Sequence, residues 1–338
     1  MKKINAMLSR RSFMAALTAS TLGIRTPLAR SADLPSPKKA QIAITFDLEM
    51  SRQYPQRKLL EWDFQKGNLN RETKDYSLKA AEIAKESGGT IHFFCVGRVL
   101  EQKNVSWLKK ISKLGHPVGN HTYDHVNVWA TQPQQTQFRF QRSPWLLGDK
   151  STEQIIRQNI RMTTEAMKQR LEIVPDGFRT PGGSSDGLNQ REDLQKMLLA
   201  EGFKWVSSKY PKHEYSRPKE EPTQDIFDSI LEAQQAAQPY LYPTGLIEIP
   251  MSPISDVGAF RTSYWKLNHF LKSVELCTQQ AIEQGGVFDF LCHPSIMYVE
   301  DPKFATIKLI CDLVNQAGDR VEIVGLSDIA KRVSKNQH

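Results

Sequence analysis

Short apolar runs alternate with amphipathic stretches from residue 40 to residue 324, and that alternation restricts the folds open to this chain. Ala40–Phe46 reads as a buried strand, and so do Thr90–Val96, His116–Asn120, Lys204–Ser208, Leu246–Ile249, Val287–Cys292 and Arg320–Val324. Pro175–Arg179 leads another strand into Pro181-Gly182-Gly183. Between them Thr73–Glu86, Val105–Leu114, Thr152–Leu171, Gln195–Gly202, Lys266–Gln284 and Thr306–Gly318 carry helical spacing, with Gly88-Gly89 and Gly115 as stops. Strands that alternate with helices form a mostly parallel sheet with its helices outside. About seven such units predict an α/β barrel rather than an open sheet. Val126–Lys150 and Tyr210–Thr223 show no helical pattern and exceed ordinary connections, so they are candidate binding loops or lids.

The chain has 338 residues, with 45 Lys and Arg against 37 Asp and Glu, a formal charge of +8. With 39% apolar and 24% charged residues, the composition excludes a polytopic membrane protein, a collagen-like repeat and a disordered chain. The charge is unevenly placed. Residues 1–32 hold Lys2, Lys3, Arg10, Arg11, Arg25 and Arg30 and no acid. Ser9-Arg10-Arg11-Ser12-Phe13-Met14 precedes an apolar run, Phe13–Ile24, that is too short for a bilayer core of roughly 30 Å. Small residues follow at Ala29-Arg30-Ser31-Ala32. The segment resembles a bacterial twin-arginine export signal, which implies delivery of a folded protein to the periplasm or the exterior by the twin-arginine (Tat) machinery. The expected organisation is a signal at 1–32 and one domain at 33–338, its core about 40–335.

Without the six basic residues of the signal, 39 basic residues face 37 acidic ones, a net charge of +2. No Lys/Arg block survives, so the sequence predicts no nucleic-acid partner and no stable membrane span, and leaves the oligomeric state open. Cys95, Cys277, Cys292 and Cys311 lack metal-finger spacing and do not form a disulfide framework, although a single disulfide stays open.

In barrels of this kind chemistry gathers at the C-terminal strand ends. The strand ends here carry Asp47-Leu48-Glu49, His121-Thr122-Tyr123-Asp124-His125, Arg179-Thr180-Pro181-Gly182 and His293-Pro294. On a helical turn, His121 and His125 would share one face and reach one cation. A carboxylate from another strand end would complete a two-His, one-carboxylate site with open positions, the arrangement of catalytic metal.

These residues resemble the polysaccharide deacetylases, the NodB-homology or carbohydrate esterase family 4 group, over about residues 40–335. Thr45-Phe46-Asp47-Leu48-Glu49 corresponds to T-F-D-D, His121–His125 to H-[ST]-x-x-H, Arg179–Gly182 to R-x-P-[GY] and Leu291-Cys292-His293 to L-x-H. His92-Phe93-Phe94-Cys95-Val96-Gly97 echoes T-F-F-x-x-G. The resemblance implies a distorted (β/α)7-type barrel and metal-dependent hydrolysis of a non-peptide amide. De-N-acetylation of a peptidoglycan- or chitin-like glycan is the leading expectation. It implies His121, His125 and Glu49 as metal ligands, with Asp47 as the alternative carboxylate. The metal would be zinc, or else iron, cobalt, manganese or nickel. Asp47 would be the base, His293 the acid, and Arg179 would hold Asp47. Pro181, Gly182, Trp205, Trp129 and Trp145 are candidate substrate contacts, with Phe138 and Phe140 in the same loop as Trp129 and Trp145. Leu48 stands where the family has its second Asp, which is why Glu49 takes the ligand role. No acid adjoins Trp205 in the fourth motif, and Asp256 is the candidate to replace it. Hydrolysis of a small non-sugar amide, cyclic imide or ureide, and a silent carbohydrate-binding domain, remain alternatives.

Overall fold

The computed structural model describes residues 38–60 and 65–335, so the signal expected at 1–32 lies outside the described residues. The first half runs β1 (Ala40–Leu48), α1 (Arg71–Glu86), β2 (Ile91–Cys95), α2 (Ser106–Lys113), β3 (Val118–Asn120), α3 (Phe138–Arg142), α4 (Thr152–Leu171) and β4 (Gly177–Ser184). The second runs α5 (Glu192–Ala200), β5 (Trp205–Lys209), α6 (Gln224–Ala236), β6 (Tyr240–Leu241), β7 (Ile247–Glu248), α7 (Leu267–Gln284), β8 (Val287–Cys292), α8 (Pro294–Glu300), α9 (Ala305–Ala317), β9 (Val321–Ile323) and α10 (Leu326–Lys335). The strand order is β6-β7-β5-β4-β3-β2-β1-β8, with β9 beside the first residues of β1. All pairs are parallel except β6 with β7.

This is the expected α/β architecture, a curled half-barrel of parallel strands with helices outside. The sheet path ends at β8 on one side and β6 on the other. The chain after β7 bridges that seam: the Ser252 N–H donates to the Asp289 carbonyl at 2.8 Å, and Ser252 Oγ accepts from the Leu291 N–H at 3.2 Å.

Local chemistry sets several ends. Asn70 caps α1 by accepting from the Thr73 N–H at 2.9 Å, and Ser151 with Gln154 forms a capping box at α4. The loop expected to lack helix at Val126–Lys150 contains α3 and two 3₁₀ turns, Pro133–Thr136 and Pro144–Leu146, each only three to five residues long. Such pieces are too short to show a periodicity. The same shortness concealed α8, which Pro294 starts directly after β8.

The two faces of each strand have separate duties. Ile42, Ile44, Phe46 and Leu48 of β1 pack in the main core with Ala80 and Ala84 of α1 and Phe270 of α7. Cys95 and Cys292 share that core, and all four cysteines are free and buried. The alternate residues, Ala43, Thr45 and Asp47, face inward. The barrel base is filled by Trp205, which meets His92 edge-on at 5.5 Å and Phe94 at 6.1 Å between ring centroids. Gly177 makes room for it, since a Cβ there would fall 1.8 Å from the indole.

His92 stacks on Phe94 at 4.5 Å and accepts the Leu326 N–H at Nδ1, 3.2 Å away. Burial, with the nearby Arg179 charge, pulls its pKa from 6.5 down to about 3. The unfolded chain therefore takes up a proton near pH 6.5 that the folded one refuses, and stability falls as pH drops through this window. His92→Gln keeps an acceptor for Leu326 and should flatten that acid-side loss by up to about 1.4 kcal/mol per pH unit. Urea unfolding of both proteins at neutral and mildly acid pH checks this; parallel losses would assign the effect to other groups.

Candidate active site

A buried ion pair forms the layer beneath the site. Arg179 on β4 is fully buried, and its Nη2 lies 2.7 Å from Asp289 Oδ2 on β8. The same Nη2 donates to Thr45 Oγ1 at 3.0 Å, and that hydroxyl donates to Asp289 Oδ1 at 2.7 Å. Arg179 also lies over the Phe94 ring at 4.5 Å. Asp47 stands farther off, 3.8 Å from Nη1. The expected pairing of Arg179 with Asp47 is present at this longer distance, and the closer partner is Asp289, which the sequence did not suggest. Sequence reasoning passed over Asp289 because Val287–Cys292 reads as an apolar strand with one acid in it. Burial pushes the Asp289 carboxyl up to about 6 against the pull of Arg179.

Above this layer two carboxylates and three imidazoles converge. His121 and His125 follow β3 in an irregular loop rather than a helical turn. Thr122 and His125 adopt left-handed φ values of 57° and 56°, and Asn120 Oδ1 accepts the Thr122 N–H at 2.9 Å. The two rings still meet, with centroids 5.0 Å apart. His121 Nδ1 lies 3.0 Å from the Arg179 carbonyl. A proton donated there leaves the Nε2 lone pair facing the carboxylates, 3.6 Å from Glu49 Oε2 and 3.7 Å from Asp47 Oδ2. His125 Nε2 lies 2.7 Å from Glu49 Oε2.

The residues suit a divalent cation. One ligating atom each from Glu49, His121 and His125 lie within 4.8 Å of one another. Glu49 Oε2 is buried and finds no well-aligned hydrogen-bond donor among the described residues. Burial lowers His125 to about 4, so its ring is neutral at pH 7, the form that binds metal.

The other Glu49 oxygen is taken by the ammonium of Lys66, a residue that no sequence signal singled out. Lys66 is buried, and its Nζ is also 3.5 Å from His125 Nε2. Burial pulls the Lys66 pKa down, opposed by Glu49. Burial alone would raise Glu49, but His125 and Lys66 beside it hold its carboxyl well below the usual range.

His293 enters from the opposite side. Its Nδ1 is 2.9 Å from Asp256 Oδ1, and its backbone N–H donates to Asp256 Oδ2. Its Nε2 faces Glu49 Oε1 at 3.6 Å and Asp47 Oδ2 at 3.9 Å. Burial disfavours the charged ring, but the carboxylates of Asp256, Glu49 and Asp47 together outweigh it and raise the His293 pKa. Asp256 therefore occupies the place for which the fourth motif offered no acid. It lies in an apolar loop 37 residues from His293, and only the fold joins them.

Asp47, Glu49, His125 and His293 line the floor of a cleft of about 560 Å³. Gly182 lines it too, and with Pro181 borders a smaller neighbouring groove. The three expected tryptophans lie elsewhere. Trp205 fills the barrel base, Trp129 packs half-buried near Val126 and Val128, and Trp145 is 74% exposed away from the cleft. Phe140 is buried; of the loop aromatics expected as a wall, Phe138 does line the cleft, joined there by Tyr210 and Tyr215.

Residues 35–198 match the polysaccharide deacetylase family. That stretch runs from β1 through most of α5, just under half of the chain. The whole architecture is shared with solved structures. A protein assigned as a polysaccharide deacetylase from Mycobacterium smegmatis aligns at 17% identity over 90% of this chain and 93% of its own, with a TM-score of 0.59. Another, from Pseudomonas aeruginosa PAO1, aligns at 13% identity over 88% and 91%, also at 0.59. An allantoinase shares the fold equally, at 14% identity over 90% and 93% with a TM-score of 0.59. No curated protein matches the chain by sequence.

Removing one member of a buried ion pair strands the other charge. Asp289→Asn should therefore cost about 3–5 kcal/mol of folding stability, read by urea unfolding at pH 7. A loss below about 1 kcal/mol would show that the Arg179–Asp289 pair does not support the site.

Proposed function

We propose that the protein is a metal-dependent amide hydrolase that removes N-acetyl groups from a glycan outside the cytoplasm. One observation carries this reading: Asp47 and His293 face each other beside the Glu49, His121 and His125 cluster, each near a buried partner of its own. A divalent cation held by those three residues, zinc by the nature of the donor set, supplies Lewis acidity toward the acyl oxygen and a more acidic water.

The remaining chemistry belongs to side chains. Asp47 accepts the proton of the attacking water; its Oδ1 is buried without a hydrogen-bond donor among the described residues. Arg179 Nη1 lies 3.8 Å from that oxygen and sets a positive charge beside it. His293, whose pKa is raised by Asp256 with Glu49 and Asp47, gives its proton to the departing nitrogen as the C–N bond breaks. Acetate and a free amine result, and the proton held by Asp47 can restore His293. Thr180, Gly182, Tyr210 and Tyr215 shape the wall against which the acyl group would lie.

The cleft volume of about 560 Å³ lies in the range of small-molecule pockets, which favours ring opening of a cyclic amide or ureide as the second reading. Residues 1–32 supply the address: a twin-arginine signal would place the folded domain in the periplasm or outside the cell. No helix among the described residues is long and apolar enough to cross a membrane.

Acetate release from N-acetylglucosamine oligomers by metal-loaded protein tests the first reading, and ring opening without acetate points to the second. Asp47→Asn should lower kcat by at least about 100-fold while metal content stays stoichiometric. Full activity in that variant would remove Asp47 as base. His121→Ala should lose bound metal by elemental analysis, and retention of the metal would sink the ligand set. Asp256→Asn should reduce kcat with little change in KM, as expected of a group that acts through His293.

A further inference from the structure

The cleft has a floor of buried carboxylates, but its other charged lining residues are cations. Among the described residues no acid other than Asp47 and Glu49 lines it. Both acids are already committed, Asp47 beside Arg179 and His121, Glu49 to Lys66 and the histidines. Around them the same cleft is lined by Arg52 and Arg261. Arg52 is exposed and Arg261 half-buried, and neither meets a carboxylate among the described residues. The other arginines of this region are occupied. Arg57 reaches the Phe260 carbonyl at 3.0 Å and Glu300 at 3.5 Å, and Arg139 pairs with Asp124 at 2.6 Å.

The two cations are fixed to the elements that build the site. Arg52 lies three residues beyond Glu49, where β1 has just ended. Arg261 sits in a π-helical turn, Val257–Thr262, which begins at Asp256. Asp256 accepts the Val257 N–H at 2.8 Å while its carboxylate holds His293. Arg261 thus rides on the same short segment that positions the acid. It is close enough to Lys66 for the two charges to repel, and that repulsion helps lower the Lys66 pKa. Like charges gathered at one concave surface, with no carboxylate partner of their own among the described residues, raise the local concentration of anions and favour a ligand that brings its own negative charge.

The geometry points to a substrate that carries a carboxylate beside the amide to be cleaved, with Arg52 and Arg261 as its binding groups. This rests on the hydrolase reading above and narrows it to anionic N-acyl compounds. Guanidinium forks suit a carboxylate, which they can grip with two parallel hydrogen bonds.

The test compares two substrates of similar size: N-acetylglucosamine oligomers, which are neutral, and peptide-free glycan strands containing N-acetylmuramic acid, which bear a carboxylate on alternate sugars. Wild-type protein should favour the muramyl strands by roughly tenfold or more in kcat/KM, and added salt should erode that preference. In the double variant Arg52→Gln/Arg261→Gln the ratio should fall towards one. An N-carbamoyl amino acid, the small-molecule source of the same chemistry, forms a third arm; a preference for it over the strands would assign the carboxylate to a metabolite rather than a polymer. Equal kcat/KM for neutral and anionic substrates in wild type, or a ratio that survives the double substitution, overturns the inference while leaving the hydrolase intact. Calorimetry separates the two ideas further. Muramyl strands that bind wild type, bind the double variant more weakly and release no acetate would uphold the anion site and refute the deacetylase.

Discussion

The arrangement rests on one buried cation. Arg179 projects from β4 into the barrel, pairs with Asp289 on β8 and reaches Thr45 on β1. A guanidinium withdrawn from water is costly unless its charge is matched and its donors are used. Asp289 matches the charge, Nη2 donates to Asp289 and Thr45, and Phe94 lies against the guanidinium, while Nε and Nη1 find no acceptor among the described residues. Its backbone takes part as well, because the Arg179 carbonyl sets the ring of His121. Strands distant in sequence are therefore held in one register directly under the reacting groups, and Asp47, the next inward residue of β1 after Thr45, stands on top of that layer.

Above it each reactive group has its own orienting partner. His121 is set by a carbonyl, His293 by Asp256, and one oxygen of Glu49 by Lys66. The other Glu49 oxygen is left facing His121 and His125. A carboxylate divided in this way is preorganised, since the side chain need not rearrange to accept a cation. The buried lysine also balances the Glu49 charge where water cannot.

Much of the site was legible because its residues sit beside local signals. Asp47, His121, Arg179 and His293 all follow apolar strands, and the C-terminal rim of a parallel barrel gathers whatever its strand ends carry. The order of motifs pointed to Glu49 as the candidate ligand, with Asp47 as the alternative, because Leu48 occupies the usual position. The illegible partners lack that context. Asp289 lies within an apolar strand, Asp256 in a loop, and Lys66 in a stretch with no motif. Trp205 misled for the complementary reason: aromatic residues are useful both to a substrate wall and to a barrel core, and the residue type does not say which.

The sequence by itself determined the alternation of strands and helices, and with it a parallel sheet whose strand ends carry two acids and three histidines. Those features are local, since hydrophobic periodicity and strand termini are written in neighbouring residues. Only the tertiary structure decided which charges meet. The pairing of Arg179 with Asp289, of His293 with Asp256 and of Glu49 with Lys66 depends on how the sheet curls. It also depends on where the chain after β7 closes the seam. Ion pairs act over a few ångströms in space, while spacing along the chain, 110 residues in the first case and 37 in the second, carries no record of that proximity.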